Sequence, residues 1–213
     1  MNKLITLVFL AVGFIGFAQN DAKADLLLKD VSKKIKSYKN ISLDFKYELN
    51  NINENINQET RGDVVIEGEK YKLNILGLTR IFNGTTLYTI SPEDEEVTIS
   101  TDNSQNEGTI TPSQMLSFYE DGYTYKMDII QTVKGRKIQY VKLNPIDVNA
   151  EMKYILLGID ATTKHIYNLI EVGQDGTKTT LTVNSFKTDE PISKTLFTFD
   201  ESKYSDYFIN KID

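Results

Sequence analysis

Apolar residues recur at three- and four-residue steps over residues 21–39, as Leu27, Leu28, Val31, Ile35 and Tyr38. That spacing places them on one face of an α-helix of about five turns. Lys33, Lys34, Lys36 and Lys39 occupy the rest of its C-terminal end, where positive charge suits the helix dipole and a solvated face. The period then switches to two. Ile41, Leu43, Phe45, Tyr47 and Leu49 alternate with Ser42, Asp44, Lys46 and Glu48, the mark of a strand with one buried face.

The alternation continues along the chain. An Asn-rich turn over residues 50–57 leads to Thr60, Gly62, Val64 and Ile66, and Gly68 marks a turn before Tyr71, Leu73 and Ile75. Residues 80–82 and 87–90 are joined through Asn83-Gly84, a hairpin signal because both positions accept φ > 0. Pro92-Glu93-Asp94 turns the chain into residues 97–100, and residues 101–110 are polar and loop-like. Thr111-Pro112-Ser113-Gln114 is a capping box with Pro at the first helical position, opening a short helix that carries Met115, Leu116, Phe118 and Tyr119. Strand alternation resumes at Tyr123, Tyr125, Met127 and Ile129. Further strands are predicted at 137–143, 152–160, 165–172 and 178–186, with a last short one at 195–200 before an aromatic tail. About eleven short strands separated by turn signals predict a mainly β, antiparallel barrel or sandwich in one domain.

Residues 1–18 stand apart. Lys3 precedes an apolar run of 14 residues from Leu4 to Phe17. At 1.5 Å per residue this is too short for a bilayer core of about 30 Å. Gly16 and Ala18 fit the −3 and −1 positions of a cleavage site, so residues 1–18 read as a secretory signal peptide and 19–213 as the exported domain. An uncleaved membrane anchor is the weaker reading. With no cysteine at the junction, the exported chain is not itself a lipoprotein.

Composition narrows the chemistry. Lys plus Arg total 24 and Asp plus Glu 30, a net charge of −6 that becomes −7 once Lys3 is removed. An acidic chain without a basic stripe argues against a nucleic-acid partner. Cysteine is absent, which removes disulfides, thiol nucleophiles and thiolate metal sites. His165 is the single histidine and falls on a predicted strand surface. There is no G-x-S-x-G elbow and no glycine-rich phosphate loop. The run Glu93-Asp94-Glu95-Glu96 lacks the alternating ligands of a calcium loop and reads as a solvated turn. A secreted hydrolase using two carboxylates stays as a rival, but any acidic chain offers such pairs. The expectation is a monomeric protein that is no enzyme and uses no cofactor.

The strand faces carry Phe45, Tyr47, Tyr71, Phe82, Tyr88, Tyr123, Tyr125 and Met127, with two helices to cover them. The sheet either closes on a packed core or curls around a ligand-sized apolar space. Periodicity leaves both open.

The order of motifs resembles the LolA outer-membrane lipoprotein carriers of Gram-negative bacteria over essentially the whole exported chain. A glycine-led apolar strand is present as Gly62 to Ile66, and an aromatic-bearing strand as Tyr71 to Leu73. Arg80-Ile81-Phe82-Asn83-Gly84, Leu87-Tyr88-Thr89-Ile90-Ser91-Pro92 and Glu96-Val97-Thr98 follow the family's apolar strand, aromatic stretch and acidic segment. Thr111-Pro112-Ser113-Gln114-Met115-Leu116 matches its T-P-x-x-(L/M)-L helix, and Phe197-Thr198-Phe199 its closing F-x-F.

This resemblance implies an unclosed β-barrel of eleven strands whose concave apolar face is lidded by helices. It implies that Leu43, Phe45, Tyr47, Val64, Ile66, Tyr71, Leu73, Phe82 and Tyr88 hold acyl chains, with Leu27, Val31, Ile35, Met115, Leu116 and Phe118 on the lid. The partners it implies are acylated lipoproteins, an inner-membrane ABC-type exporter and an acceptor at the outer membrane, and the place is the periplasm. A carrier or sensor of another envelope lipid, such as a glycolipid or polyprenyl product, is the alternative. Two departures stand out. The family's Arg-Pro pair, whose arginine latches the lid, is replaced by the turn Glu67-Gly68-Glu69, and its tryptophan by Leu87 or Tyr88.

Overall fold

The computed structural model describes residues 21–101 and 111–212. The signal segment predicted at 1–18 and most of the polar loop at 101–110 lie outside the described residues. Helix α1 (Ala22–Lys36) is capped by Asp21, whose carboxylate accepts the Lys23 N–H at 2.9 Å. It stops short of Lys39 because Ser37 turns back on the helix, its N–H and hydroxyl both reaching the Lys34 carbonyl. Ala24, Leu28 and Val31 form the buried face.

Twelve strands follow, not eleven: β1 (Ile41–Asn51), β2 (Ile56–Glu67), β3 (Lys70–Ile75), β4 (Leu78–Phe82), β5 (Leu87–Ser91), β6 (Glu96–Ser100), β7 (Tyr123–Val133), β8 (Arg136–Pro145), β9 (Met152–Asp160), β10 (Ile166–Gly173), β11 (Lys178–Thr188) and β12 (Phe208–Ile212). They form one sheet in the order β12-β6-β5-β4-β3-β2-β1-β11-β10-β9-β8-β7. Neighbours are antiparallel except for β12, which pairs parallel to β6 with Phe208 opposite Glu96. β12 and β7 are therefore free edges, and the barrel is unclosed. Helix α2 (Pro112–Met115) and a 3-10 turn at Phe118–Glu120 bridge β6 and β7.

The strand expected at 195–200 is a series of turns, with Leu196 N–H bonded to Ser193 and Thr198 N–H to Thr195. Its F-x-F alternation has another cause. Phe197 is buried in an outer cluster with Ile81, Ile90 and Val97, and Phe199 stacks on Tyr88 at 4.6 Å and on Tyr204 at 5.3 Å. The C-terminal segment thus covers the outer face of β4, β5 and β6. The aromatic tail after it supplies the strand that the sequence pattern places too early.

The sheet consequently has two apolar clusters. The inner one gathers Leu28 and Val31 from α1, Leu43 and Phe45 from β1, Val64 and Ile66 from β2, and Val141, Leu157 and Val183 from the far strands. Gly62 is a close-approach position within it. A Cβ there would lie 2.6 Å from the Asn74 carbonyl oxygen and 2.6 Å from Cζ of Phe45, so the Phe45 ring rests on bare backbone.

Candidate functional site: a lidded apolar cavity

Register decides which side chains share the inner face. Tyr47 pairs with Leu181, Leu181 with Leu169, and Leu169 with Leu157, so one row crosses β1, β11, β10 and β9. On the other side of β1, Leu43 opposes Val64, Val64 opposes Leu73, and Leu73 opposes Arg80. These rows enclose a cavity of about 380 Å³. That volume lies at the small end of the about 300–1,000 Å³ usual for ligand pockets.

Its wall contains Leu43, Phe45, Tyr47, Val64, Ile66, Tyr71 and Leu73, joined by Ile75, Leu87, Leu157, Ile166, Leu169, Leu181, Val183 and Phe186. The later strands carry ordinary alternating apolar residues, and only the curl of the sheet brings them opposite β1 to β3. Two expected wall residues do not line it. Phe82 is on the inner face but packed on Tyr71, with ring centroids 5.7 Å apart. Tyr88 belongs to the outer cluster, because its register partners Ile81 and Ile99 face outward and Leu87 takes the inner position.

The lid divides in the same way. Thr111, Pro112, Met115 and Leu116 line the cavity, so α2 is its cover. Its capping box is complete: Thr111 Oγ1 accepts the Gln114 N–H at 3.3 Å, and Gln114 Oε1 accepts the Thr111 N–H at 2.9 Å. No residue of α2 itself is buried. Leu27, Val31, Ile35 and Phe118 pack in the inner cluster and do not line the cavity. Helix α1 is bonded near both ends: Asp21 accepts the Met127 N–H at 3.3 Å, and Lys36 and Ser32 both bond Glu120. Those two bonds hold the Glu120 carboxyl below its ordinary range.

Tyr119 anchors the end of the cover. It is fully buried, burial raises its hydroxyl far above the usual tyrosine range, and the Tyr125 hydroxyl bonds its carbonyl at 2.8 Å. The exposed turn of α2 is tied to the sheet where Ser113 Oγ donates to the Gly68 carbonyl at 3.1 Å. Gly68 lies in the turn that replaces the family's Arg-Pro pair, and its φ of +58° suits a residue without a Cβ.

Polar groups on the inner face are few. Arg80 is the one basic residue in the wall. Burial raises the Tyr71 hydroxyl, and the nearby Arg80 charge partly opposes this. Glu171, next to Leu169 in parity but outside the wall, has its carboxyl raised by burial. His165 leaves the strand surface expected for it. It stacks on Phe186 at 4.0 Å, its Nε2 lies 2.7 Å from the Tyr38 hydroxyl, and burial lowers its pKa. Among the described residues, no group of three or more His, Asp or Glu could hold a metal ion, and no helix is long and apolar enough to cross a membrane.

Fold and site together define an unclosed β-barrel with a lidded apolar cavity. The family model for the outer membrane lipoprotein carrier protein LolA matches residues 36–200, and the chain belongs to the LolA family. Among solved structures, an uncharacterized conserved protein from Thermus thermophilus aligns at a TM-score of 0.60 with 9% identity, covering 89% of this chain and 99% of that one. LprF from Mycobacterium bovis aligns at 0.53 with 13% identity, covering 82% and 97%. MucB aligns at 0.50 with 14% identity, covering 84% of this chain but 64% of its own. At such identities these likenesses show the fold alone. No curated protein matches the sequence.

Proposed function

We propose that this protein is a periplasmic carrier that takes up the acyl chains of lipoproteins and ferries them from the inner to the outer membrane. The observation that carries the reading is the cavity itself: about 380 Å³, walled by aliphatic and aromatic side chains and covered by a four-residue helix with no buried residue. A sealed core would be filled at close-packed density, and a cover that served only packing would bury its own side chains.

Energetics favour a carrier of this build. Each methylene moved out of water contributes about 0.8 kcal/mol, so a 16-carbon chain contributes roughly 12 and three such chains roughly 36. Non-covalent affinity saturates near about −18 to −21 kcal/mol. A small cavity that shelters part of the cargo, under a cover that must open, keeps binding reversible. Loading would come from an inner-membrane ABC-type exporter and unloading would be at an outer-membrane acceptor, since the sequence has no glycine-rich phosphate loop to supply the energy itself. We read the protein as a binding protein and not an enzyme.

Displacement of a fluorescent apolar probe by a palmitoylated peptide tests the reading. The wild-type protein should bind and exchange the probe. Leu169→Glu puts a carboxylate on a half-buried wall position, where it stays hydrated in the empty cavity but opposes an acyl chain. It should fold and lose binding. A wild-type protein that binds neither probe nor peptide, or a folded Leu169→Glu that binds both normally, overturns the proposal.

A further inference from the structure

We propose that the cavity, beside the acyl chains of lipoproteins, also takes acyl chains bearing an anionic head, a carboxylate or a phosphate monoester, and that Arg80 recognises that head; the inference rests on the acyl-carrier reading. Arg80 sits in β4 with Leu73 beside it on β3 and Thr89 beside it on β5. Its neighbours in the strand, Thr79 and Ile81, face the other way, Ile81 into the outer cluster. The guanidinium therefore enters a wall otherwise made almost wholly of apolar side chains.

Arg80 Nε is buried without a hydrogen-bond acceptor, and among the described residues no carboxylate forms an ion pair with Arg80. Elsewhere the chain provides such partners readily: Lys46 on the outer face meets Glu48 at 2.9 Å and Glu59 at 3.5 Å. A buried N–H without an acceptor is disfavoured, and a ligand that brings one removes the deficit. The planar fork of arginine matches a carboxylate or phosphate through two parallel bonds, which a hydroxyl or ester cannot reproduce.

The rest of the cavity fits the tail of such a molecule. Arg80 stands toward the β4 end, while Leu157, Leu169 and Leu181 form the apolar wall at the β9 to β11 end. A chain laid between them keeps its methylenes on aliphatic surface with its head at the guanidinium. The acylated N-terminus of a lipoprotein offers only ester, thioether and amide groups, so an anionic lipid would be a second class of cargo that uses the same apolar wall and adds the contact to Arg80.

Titration of the whole exported protein with hexadecanol, palmitate, hexadecyl phosphate and inorganic phosphate tests the proposal without any variant. Palmitate and hexadecyl phosphate should bind about tenfold or more tighter than hexadecanol, and inorganic phosphate alone should neither bind nor displace the apolar probe. In Arg80→Gln the preference for palmitate and hexadecyl phosphate over hexadecanol should vanish; Arg80→Lys, which keeps the charge but loses the fork, should retain part of it. Equal affinity for hexadecanol and palmitate overturns the anion site and leaves the acyl carrier standing. Inorganic phosphate binding as well as hexadecyl phosphate also overturns it, since the site would then serve a free anion. If no 16-carbon ligand binds, the carrier reading itself falls, and this inference with it.

Discussion

Ser113 donates its hydroxyl to the Gly68 carbonyl across 3.1 Å, and through that bond α2 is fastened to the turn between β2 and β3. By the resemblance of motifs, this turn stands where the family's Arg-Pro pair is expected. Here backbone accepts from the lid, instead of a sheet side chain donating to it. The bond is exposed, so it contributes at the weaker end of the about 0.5–1.5 kcal/mol typical of a hydrogen bond.

Ser113→Ala should therefore leave the thermal midpoint nearly unchanged while speeding release of a bound apolar probe by about two- to threefold in stopped-flow mixing. Release at the wild-type rate would mean that the cover is held by its apolar contacts alone.

A second expectation concerns Gly62. The added methyl of Gly62→Ala would meet the Asn74 carbonyl and the Phe45 ring, both at 2.6 Å. The ring can tilt, but the carbonyl belongs to the β2–β3 ladder and cannot. Overpacking of this kind costs about 1–3 kcal/mol, to be read as a lower urea midpoint at unchanged slope. Phe45→Leu added to Gly62→Ala should recover only part of the loss, because the carbonyl contact persists. Full recovery would show that the ring alone makes the position intolerant.

The Tyr38–His165–Phe186 stack should make stability depend on pH. Burial lowers the His165 pKa from 6.5, Lys34 adds to the lowering, and Asp160 opposes it. The unfolded chain then binds a proton at a higher pH than the folded one. Stability is accordingly full above the unfolded value and falls as pH drops through 6.5 toward the lower folded pKa. Urea unfolding at pH 7.5, 6.5 and 5.5 should show a decline in wild type that is shallower in His165→Gln. Since Phe186 also lines the cavity, probe affinity should weaken over the same interval. Identical slopes in the two proteins would remove the histidine from the account.

Much of the architecture was legible because strand alternation is a local property. The parity of Leu43, Phe45, Tyr47, Val64, Ile66, Tyr71 and Leu73 follows from a two-residue period, and each lines the cavity. Tyr88 shows where that logic fails. Its strand has five residues with Leu87, Tyr88 and Ile90 all apolar or aromatic, so the pattern gives no single parity. The choice was made by the C-terminal segment, whose Phe199 stacks on the outward ring from more than a hundred residues away in sequence.

The sequence by itself determined the strands up to residue 188, the capped cover helix, the exclusion of cysteine and histidine-cluster chemistry, and the family, because these depend on residue type and near-neighbour spacing. Tertiary structure alone decided that the wall includes Leu157, Leu169, Leu181 and Phe186, that α2 and not α1 covers the cavity, and that Arg80 faces inward with its Nε buried and without an acceptor among the described residues. The physical reason is the curvature of an open sheet. Alternation says only that a side chain lies on one of two faces. Which residues of one face meet across a space depends on how twelve strands twist and curl together.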